Sequence, residues 1–282
     1  MYLWKSWHDS RQRLMLYGVA CLAIGLIGGI HHVQSYNFRA ASWQRTLALM
    51  AMWQRNPPRS PHFRNWRMIL VQLPRTYQEF VQYSWKEAFY WFWAYMPLAG
   101  LWSALIFGTT SVGREYSSGA MSFVLTRPQS RWSVAWQEWA LAIAEIYIIL
   151  SMFYVGALPF ALYTMPHDGK LTAIPSMLLV GALAVAACLC GLTQFLTLLT
   201  GSSMKGLSAA TAVVLFYYFL PSAVEVWWHI HWPEKVQELS LSVLADVWVQ
   251  ERSPVLGVTL VWAMLALIFP FLSQWLIEKR EV

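Results

Sequence analysis

Six apolar runs, each about as long as a membrane crossing, constrain this chain more than any other feature. An α-helix needs roughly 20 mostly apolar residues to cross about 30 Å of hydrocarbon. Hydrophobic residues make up 57% of the 282 residues and charged residues only 12%, against about 25% in soluble domains. We therefore predict an all-α, polytopic integral membrane protein. It forms a single transmembrane domain over 1–282, with six transmembrane helices at 14–31, 88–112, 137–163, 174–200, 207–227 and 254–277.

Two further segments have the pattern of helices that lie along a membrane surface. Residues 1–13 combine an apolar patch with an opposing charged side, which predicts a flat amino-terminal interfacial helix before span one. Residues 233–249 repeat valine and leucine at helical spacing, which predicts amphipathic outer helices between spans five and six. The run 14–31 lacks a small-residue cleavage site, so we expect it to be kept as a span.

The distribution of basic residues between the short loops predicts the orientation, because Lys and Arg are enriched on the cytoplasmic side of membrane proteins. With six spans both termini lie on one side, and that side has more basic residues than the short loops opposite, so we expect both termini in the cytoplasm. The net charge of +6 then reflects topology and contact with anionic lipid, and we expect no nucleic-acid partner. The basic residues on the side of the termini are Lys5, Arg11, Arg13, Arg114, Arg127, Arg131, Lys205, Lys279 and Arg280; those in the opposite short loops are Lys170, Lys235 and Arg252.

The outer loop 32–87 is rich in tryptophan and is broken by prolines. Its segment 43–53 has the composition of a short helix at the membrane interface, where the tryptophan ring meets apolar groups and its N–H meets water. Two interpretations of the loop stay open: a small cap packed on the spans, or a contact for a partner or substrate.

Familiar catalytic and metal motifs are absent from the sequence. It contains no phosphate-binding loop, no Gly-x-Ser-x-Gly elbow and no His-Glu-x-x-His zinc helix. The histidine pairs His31–His32 and His229–His231 lack further ligands nearby, so we interpret them as interfacial polar residues and expect no bound metal. The cysteines Cys21, Cys188 and Cys190 lie in apolar runs and are expected to be packing residues.

Acidic residues within the third span are the best candidates for polar positions on a transport pathway. Glu138 and Glu145 are seven residues apart, about two helical turns, and therefore face the same way. An ionised carboxylate at the depth of Glu145 costs a few kcal/mol, so we expect that residue to face protein or water, or to be protonated. The alternative to a pathway role is an interhelical hydrogen bond, with Gln194 of span four as the candidate partner.

The loop 113–136 between spans two and three contains Glu115, Gly119, Leu125, Pro128 and Arg131, in the spacing Glu-x3-Gly-x5-Leu-x2-Pro-x2-Arg. It resembles the cytoplasmic loop of permease subunits of type-2 ATP-binding-cassette exporters, in the six-span branch, although Ala120 stands where threonine is common. In that family the loop forms a coupling helix that docks into a separate ATPase subunit. The resemblance assigns the ATPase contact here to Gly113, Arg114, Glu115, Gly119, Arg127, Pro128 and Arg131.

The resemblance implies a function and a set of partners. The chain would be the permease of an ATP-driven exporter in the plasma membrane of a bacterium and would not be an enzyme by itself. It would pair with a second permease subunit, identical or homologous, and with a cytoplasmic nucleotide-binding ATPase. This chain would bind no cofactor, and ATP and Mg would be held by the ATPase. Two alternatives stay open: a polytopic membrane enzyme acting on lipid or peptide, and a sensory or scaffold subunit.

Overall fold

A computed structural model describes residues 2–55, 76–77, 79–81, 85, 99–109, 131–164, 173–228 and 255–279. Helices dominate these residues, and no strand occurs among them. We number the helices in chain order: α1 Tyr2–Ala41, α2 Trp43–Arg55, α3 Ala99–Thr109, α4 Arg131–Thr164, α5 Ala173–Thr200, α6 Ser203–Trp228 and α7 Val255–Lys279.

Four of these helices are long and apolar enough to cross a membrane. The candidate spans are Arg11–Phe38, Ala135–Thr164, Leu179–Thr200 and Thr259–Lys279, and they coincide with the predicted spans one, three, four and six. The predicted span 88–112 overlaps the shorter apolar helix α3, and the predicted span 207–227 lies within α6. The described residues thus establish an all-helical membrane protein with four candidate spans, while the total of six stays a prediction.

The first helix differs from the prediction of a flat helix over 1–13 followed by a separate span. Helix α1 runs without interruption from Tyr2 to Ala41, so the amino-terminal residues belong to the same rod as span one. The physical reason is local: no proline or glycine separates Trp7 from Leu14. At 1.5 Å per residue, the 40 residues extend over about 60 Å. The predicted outer helices in 233–249 lie outside the described residues.

The contact between α1 and α4 is the most extensive between any two described helices. A Cβ atom at Gly25 would lie 2.5 Å from the Phe153 carbonyl oxygen, and one at Gly156 would lie 2.7 Å from the Leu22 carbonyl oxygen. The two backbones therefore touch at this crossing. Gly25 and Gly29, which packs on the Phe160 ring, form a Gly-x-x-x-Gly spacing of the kind that lets membrane helices approach closely.

Helix α5 occupies the centre of the bundle and contacts α4, α6 and α7. It is joined to α6 by the two-residue turn Gly201-Ser202. Gly201 has a φ of 67°, the left-handed conformation that commonly ends a helix, and its N–H donates to the Thr197 carbonyl at 3.0 Å. Gly206 then packs directly on Thr197, where a Cβ atom would lie 2.5 Å from the Thr197 Cα. The turn thus closes a tight helical hairpin.

Two described segments of the outer loop, α2 and the residues 76–77 and 79–81, pack on each other. The predicted helix 43–53 is present as α2, and Trp43 stacks against Phe80 with ring centroids 4.6 Å apart. Thr76 and Glu79 form a reciprocal cap: the Glu79 N–H donates to Thr76 Oγ1 at 3.2 Å and the Thr76 N–H to Glu79 Oε2 at 3.4 Å. The two interpretations of the loop, a cap on the spans and a contact for a partner or substrate, both stay open.

The α1–α4 crossing yields a test with an internal control. Gly25→Ala should lower the thermal stability of the purified protein, because the added methyl group meets the Phe153 backbone, and overpacking of this kind costs about 1–3 kcal/mol. Gly18→Ala should be neutral or slightly stabilising, because its Cβ would meet only Met152 Cγ at 3.8 Å. Thermal unfolding of both variants in detergent measures the difference. Equal stability of the two variants would contradict a backbone contact at Gly25.

Candidate functional site

The loop predicted to contact an ATPase falls largely outside the described residues. This applies to Gly113, Arg114, Glu115, Gly119, Arg127 and Pro128, and to the side chain of Arg131. The backbone of Arg131 begins α4, so the loop leads directly into this helix. We use the term loop end for the end of the bundle where α4 and α6 begin and where α5 and α7 end.

All three candidate pathway residues are buried. Glu138 is 1% exposed and Glu145 is 4% exposed on α4, and Gln194 is 2% exposed on α5. Cys190 of α5 lies within electrostatic range of both carboxyl groups. Both acids therefore lie in the interior of the bundle formed by this one chain, near Cys190 of α5.

Hydrogen bonds tie α4 to α5 near the loop end. The Gln194 amide Nε2 donates to the Ala135 carbonyl oxygen at 3.1 Å, and the Trp139 indole Nε1 donates to the Ala187 carbonyl oxygen at 3.2 Å. Both bonds join a side chain of one helix to the backbone of the other. Gln194 thus makes an interhelical hydrogen bond, and its partner is a main-chain carbonyl of α4.

Helix α7 adds polar groups at the same level. Ser273 is fully buried and Gln274 is 2% exposed, and the Gln274 Nε2 donates to Glu278 Oε1 at 2.9 Å. The Trp136 ring of α4 packs edge-on against Phe271 of α7 with ring centroids 5.0 Å apart. We call Trp136, Gln194, Ser273 and Gln274 the polar layer. It lies where α4, α5 and α7 meet.

A second polar cluster lies at the opposite end, between α1, α4 and the outer loop. His32 is buried, and its Nε2 lies 2.8 Å from Thr164 Oγ1. Trp85 is fully buried, its Nε1 donates to the Ala161 carbonyl oxygen at 3.2 Å, and its ring packs edge-on against His32. His32 and Trp85 therefore fasten the outer loop to the two helices.

The adjacent His31 is exposed on the other side of α1 and pairs with Ser35 at 3.4 Å. The two neighbouring histidines thus point to different surroundings. Within the described part of the chain, no group of three or more His, Cys, Asp and Glu residues is placed to hold a metal ion. His229 and His231 lie outside that part.

Comparison with known proteins decides the family. A family model described as ABC-2 family transporter protein matches residues 14–246. The chain belongs to this family. This ABC-2 permease is therefore a multi-pass membrane component of a transporter, as the loop 113–136 indicated. No curated protein and no solved structure matches the chain.

Sequence reasoning missed several residues of the ABC-2 permease that the fold brings together. Ser273 and Gln274 are two adjacent polar residues in an otherwise apolar run, and this signal, together with their distance from the helix end, marks them as interior groups. Trp85 stood among several outer-loop tryptophans, and nothing in its neighbours distinguishes it as the one that is fully buried. The Gly25-x-x-x-Gly29 spacing was also visible in the sequence.

The Trp85 anchor predicts the effect of one substitution. Trp85→Phe keeps most of the ring but removes the indole N–H that bonds Ala161, so the thermal stability of the ABC-2 permease should fall by about 1–2 kcal/mol. The matched control is Trp102→Phe, whose ring is 59% exposed and whose replacement should leave stability nearly unchanged. Equal effects at both positions in thermal unfolding would argue against a specific role for the Trp85 anchor.

Proposed function

We propose that this chain is the permease subunit of an ATP-driven exporter, forming the transmembrane pathway and coupling to a separate ATPase subunit. The observation that carries the proposal is the ABC-2 family match over residues 14–246, which includes the loop 113–136 with its exporter-like pattern. A second permease subunit, identical or homologous, would complete the pathway. The ATPase would bind ATP and Mg, and this chain would bind no cofactor.

The contacts of α4 suggest how a displacement of the loop would be transmitted to the other helices of the bundle. The loop leads into α4, and α4 packs on α1, α5 and α7. Because packed helices are close to incompressible, a displacement of the start of α4 shifts its neighbours as well. The polar layer and Glu138 lie within about two turns of that start. An ATPase that moves the loop on ATP binding would therefore act first on this part of the bundle.

Glu138, Glu145 and Gln194 are the proposed polar positions of the pathway. Their burial supports a place inside the bundle, and Gln194 already bonds across two helices. Charged groups at membrane depth are expensive and often functional. The structural alternative, in which they only hold helices together, makes a different prediction: their neutral variants would change stability without changing transport.

We also propose a location and orientation. The protein would lie in the plasma membrane of a bacterium with both termini in the cytoplasm. A tag on either terminus should then be cut by protease in inside-out vesicles and protected in right-side-out vesicles. Cleavage of the tag in right-side-out vesicles would reverse the proposed topology.

The ATPase contact is tested by purification of the tagged chain from native membranes, followed by mass spectrometry and an ATPase assay. Glu115→Arg should abolish copurification of a nucleotide-binding subunit and its ATP hydrolysis, because the reversed charge lies in the predicted docking loop. Asp168→Arg, a matched charge reversal in the predicted outer loop, should leave both intact.

The outcome separates the alternatives. Retention of the ATPase by the Glu115→Arg variant would count against the loop as the contact. A wild-type chain that purifies without any ATPase would favour the membrane enzyme or the scaffold subunit, and catalytic activity lost in Glu145→Gln would then distinguish the enzyme.

A further inference from the structure

Among the described residues, the polar layer contains buried atoms for which the helix packing provides no hydrogen-bond partner. They are Trp136 Nε1, Gln194 Oε1, Ser273 Oγ and Gln274 Oε1, and each is enclosed by protein. Buried polar groups are satisfied in the large majority of cases, so four orphaned atoms in one place require an explanation. Burial without a partner destabilises the arrangement that contains it.

Helix contacts place these groups at one level of the bundle. Helices α5 and α7 both run toward the loop end. A Cβ atom added at Gly191 of α5 would lie 2.8 Å from the Phe269 Cβ of α7, so the two helices are in contact at this level. Gln194 lies three residues beyond Gly191, and Ser273 four residues beyond Phe269. Residues three or four apart share a helix face. Gln194 and Ser273 therefore both lie one turn beyond this contact, toward the loop end.

Helix α4 meets the other two at the same level. Gln194 bonds the Ala135 carbonyl, and the next residue, Trp136, packs on Phe271 of α7. Gln274 lies three residues after Phe271 and so follows it on the same side of α7. The four orphaned atoms thus come from three helices, and the layer sits directly beside the start of α4.

The chemistry of the orphaned atoms is complementary. The indole N–H only donates, the two amide oxygens only accept, and the serine hydroxyl does both. A small relative shift of α4, α5 and α7 can therefore pair these groups with one another or admit water to them. Buried polar groups without partners are costly at low dielectric, so an arrangement that pairs them would lower the free energy at this site.

We propose that the polar layer is a conformational device. Its polar atoms are unpaired in the packing seen here and find hydrogen-bond partners when α4 moves. It biases the bundle toward a second helix arrangement and so lowers the work that an ATPase must do at the coupling loop. The link to the ATPase rests on the proposed function, whereas the instability of the layer is a property of this chain alone.

Ser273→Ala tests the layer directly in the purified full-length chain. The substitution removes an orphaned hydroxyl and keeps the size of the side chain, so it should raise the midpoint of thermal unfolding. Ser208→Ala on α6, where the serine is exposed, controls for the higher helix propensity of alanine. Thr193→Val controls for the loss of a satisfied hydroxyl, because Thr193 Oγ1 donates to the Leu189 carbonyl at 2.7 Å.

The expected order of midpoints is Ser273→Ala above Ser208→Ala, with Thr193→Val at or below wild type. Ser273→Cys, which keeps only weak hydrogen-bonding capacity, should fall between wild type and Ser273→Ala. A midpoint for Ser273→Ala at or below that of Ser208→Ala would show that the hydroxyl is satisfied in the resting protein, and the proposal would be overturned.

Activity of the assembled complex tests the second part of the proposal, the role of the polar layer in the movement of α4. Ser273→Ala should reduce ATP-driven transport severalfold without loss of the copurifying ATPase, because the resting arrangement becomes harder to leave. A raised unfolding midpoint with unchanged transport would overturn the role as a device. A chain that never copurifies with an ATPase would refute the proposed function, yet the unfolding result would still decide whether the layer is unpaired.

Discussion

The close approach of α1 and α4 at Gly25 and Gly156 is the contact on which the rest of the described bundle depends. In lipid, helices gain little from burying apolar side chains, since the hydrocarbon around them is equally apolar. Association must come from tight packing and from hydrogen bonds between helices. Two glycines that face each other allow the backbones to touch, and this crossing holds α4 in position to receive α5 and α7 on its other sides.

Polar contacts between helices add to the close packing of the glycines, and they differ between the two ends of the bundle. Near the opposite end, His32 lies within hydrogen-bond distance of Thr164 and packs edge-on against Trp85, so the outer loop joins the helices there. Near the loop end, several polar atoms of the polar layer are enclosed without a hydrogen-bond partner in the part of the chain that the structure describes. The outer-loop anchor and the polar layer thus lie at opposite ends of the described bundle.

The features that could be predicted from the sequence are those that depend on composition along the chain. Run length and apolar content were sufficient for spans one, three, four and six, and the short helix after Trp43 followed from its pattern. The pattern of loop 113–136 was sufficient for the family. The continuity of α1 was missed because amphipathic character over 1–13 suggests a separate surface helix, while only the absence of a break indicates a single rod. The polar layer was missed because it joins residues from three helices that are far apart in sequence.

The turn at Gly201 has a consequence for how the two helices that it joins can move. Two residues separate α5 from α6, the left-handed glycine fixes their reversal, and Gly206 rests on Thr197. A connection this short leaves no slack between the two helix ends. A shift of the end of α5 must therefore carry the start of α6 with it, so this end of the hairpin moves as one body.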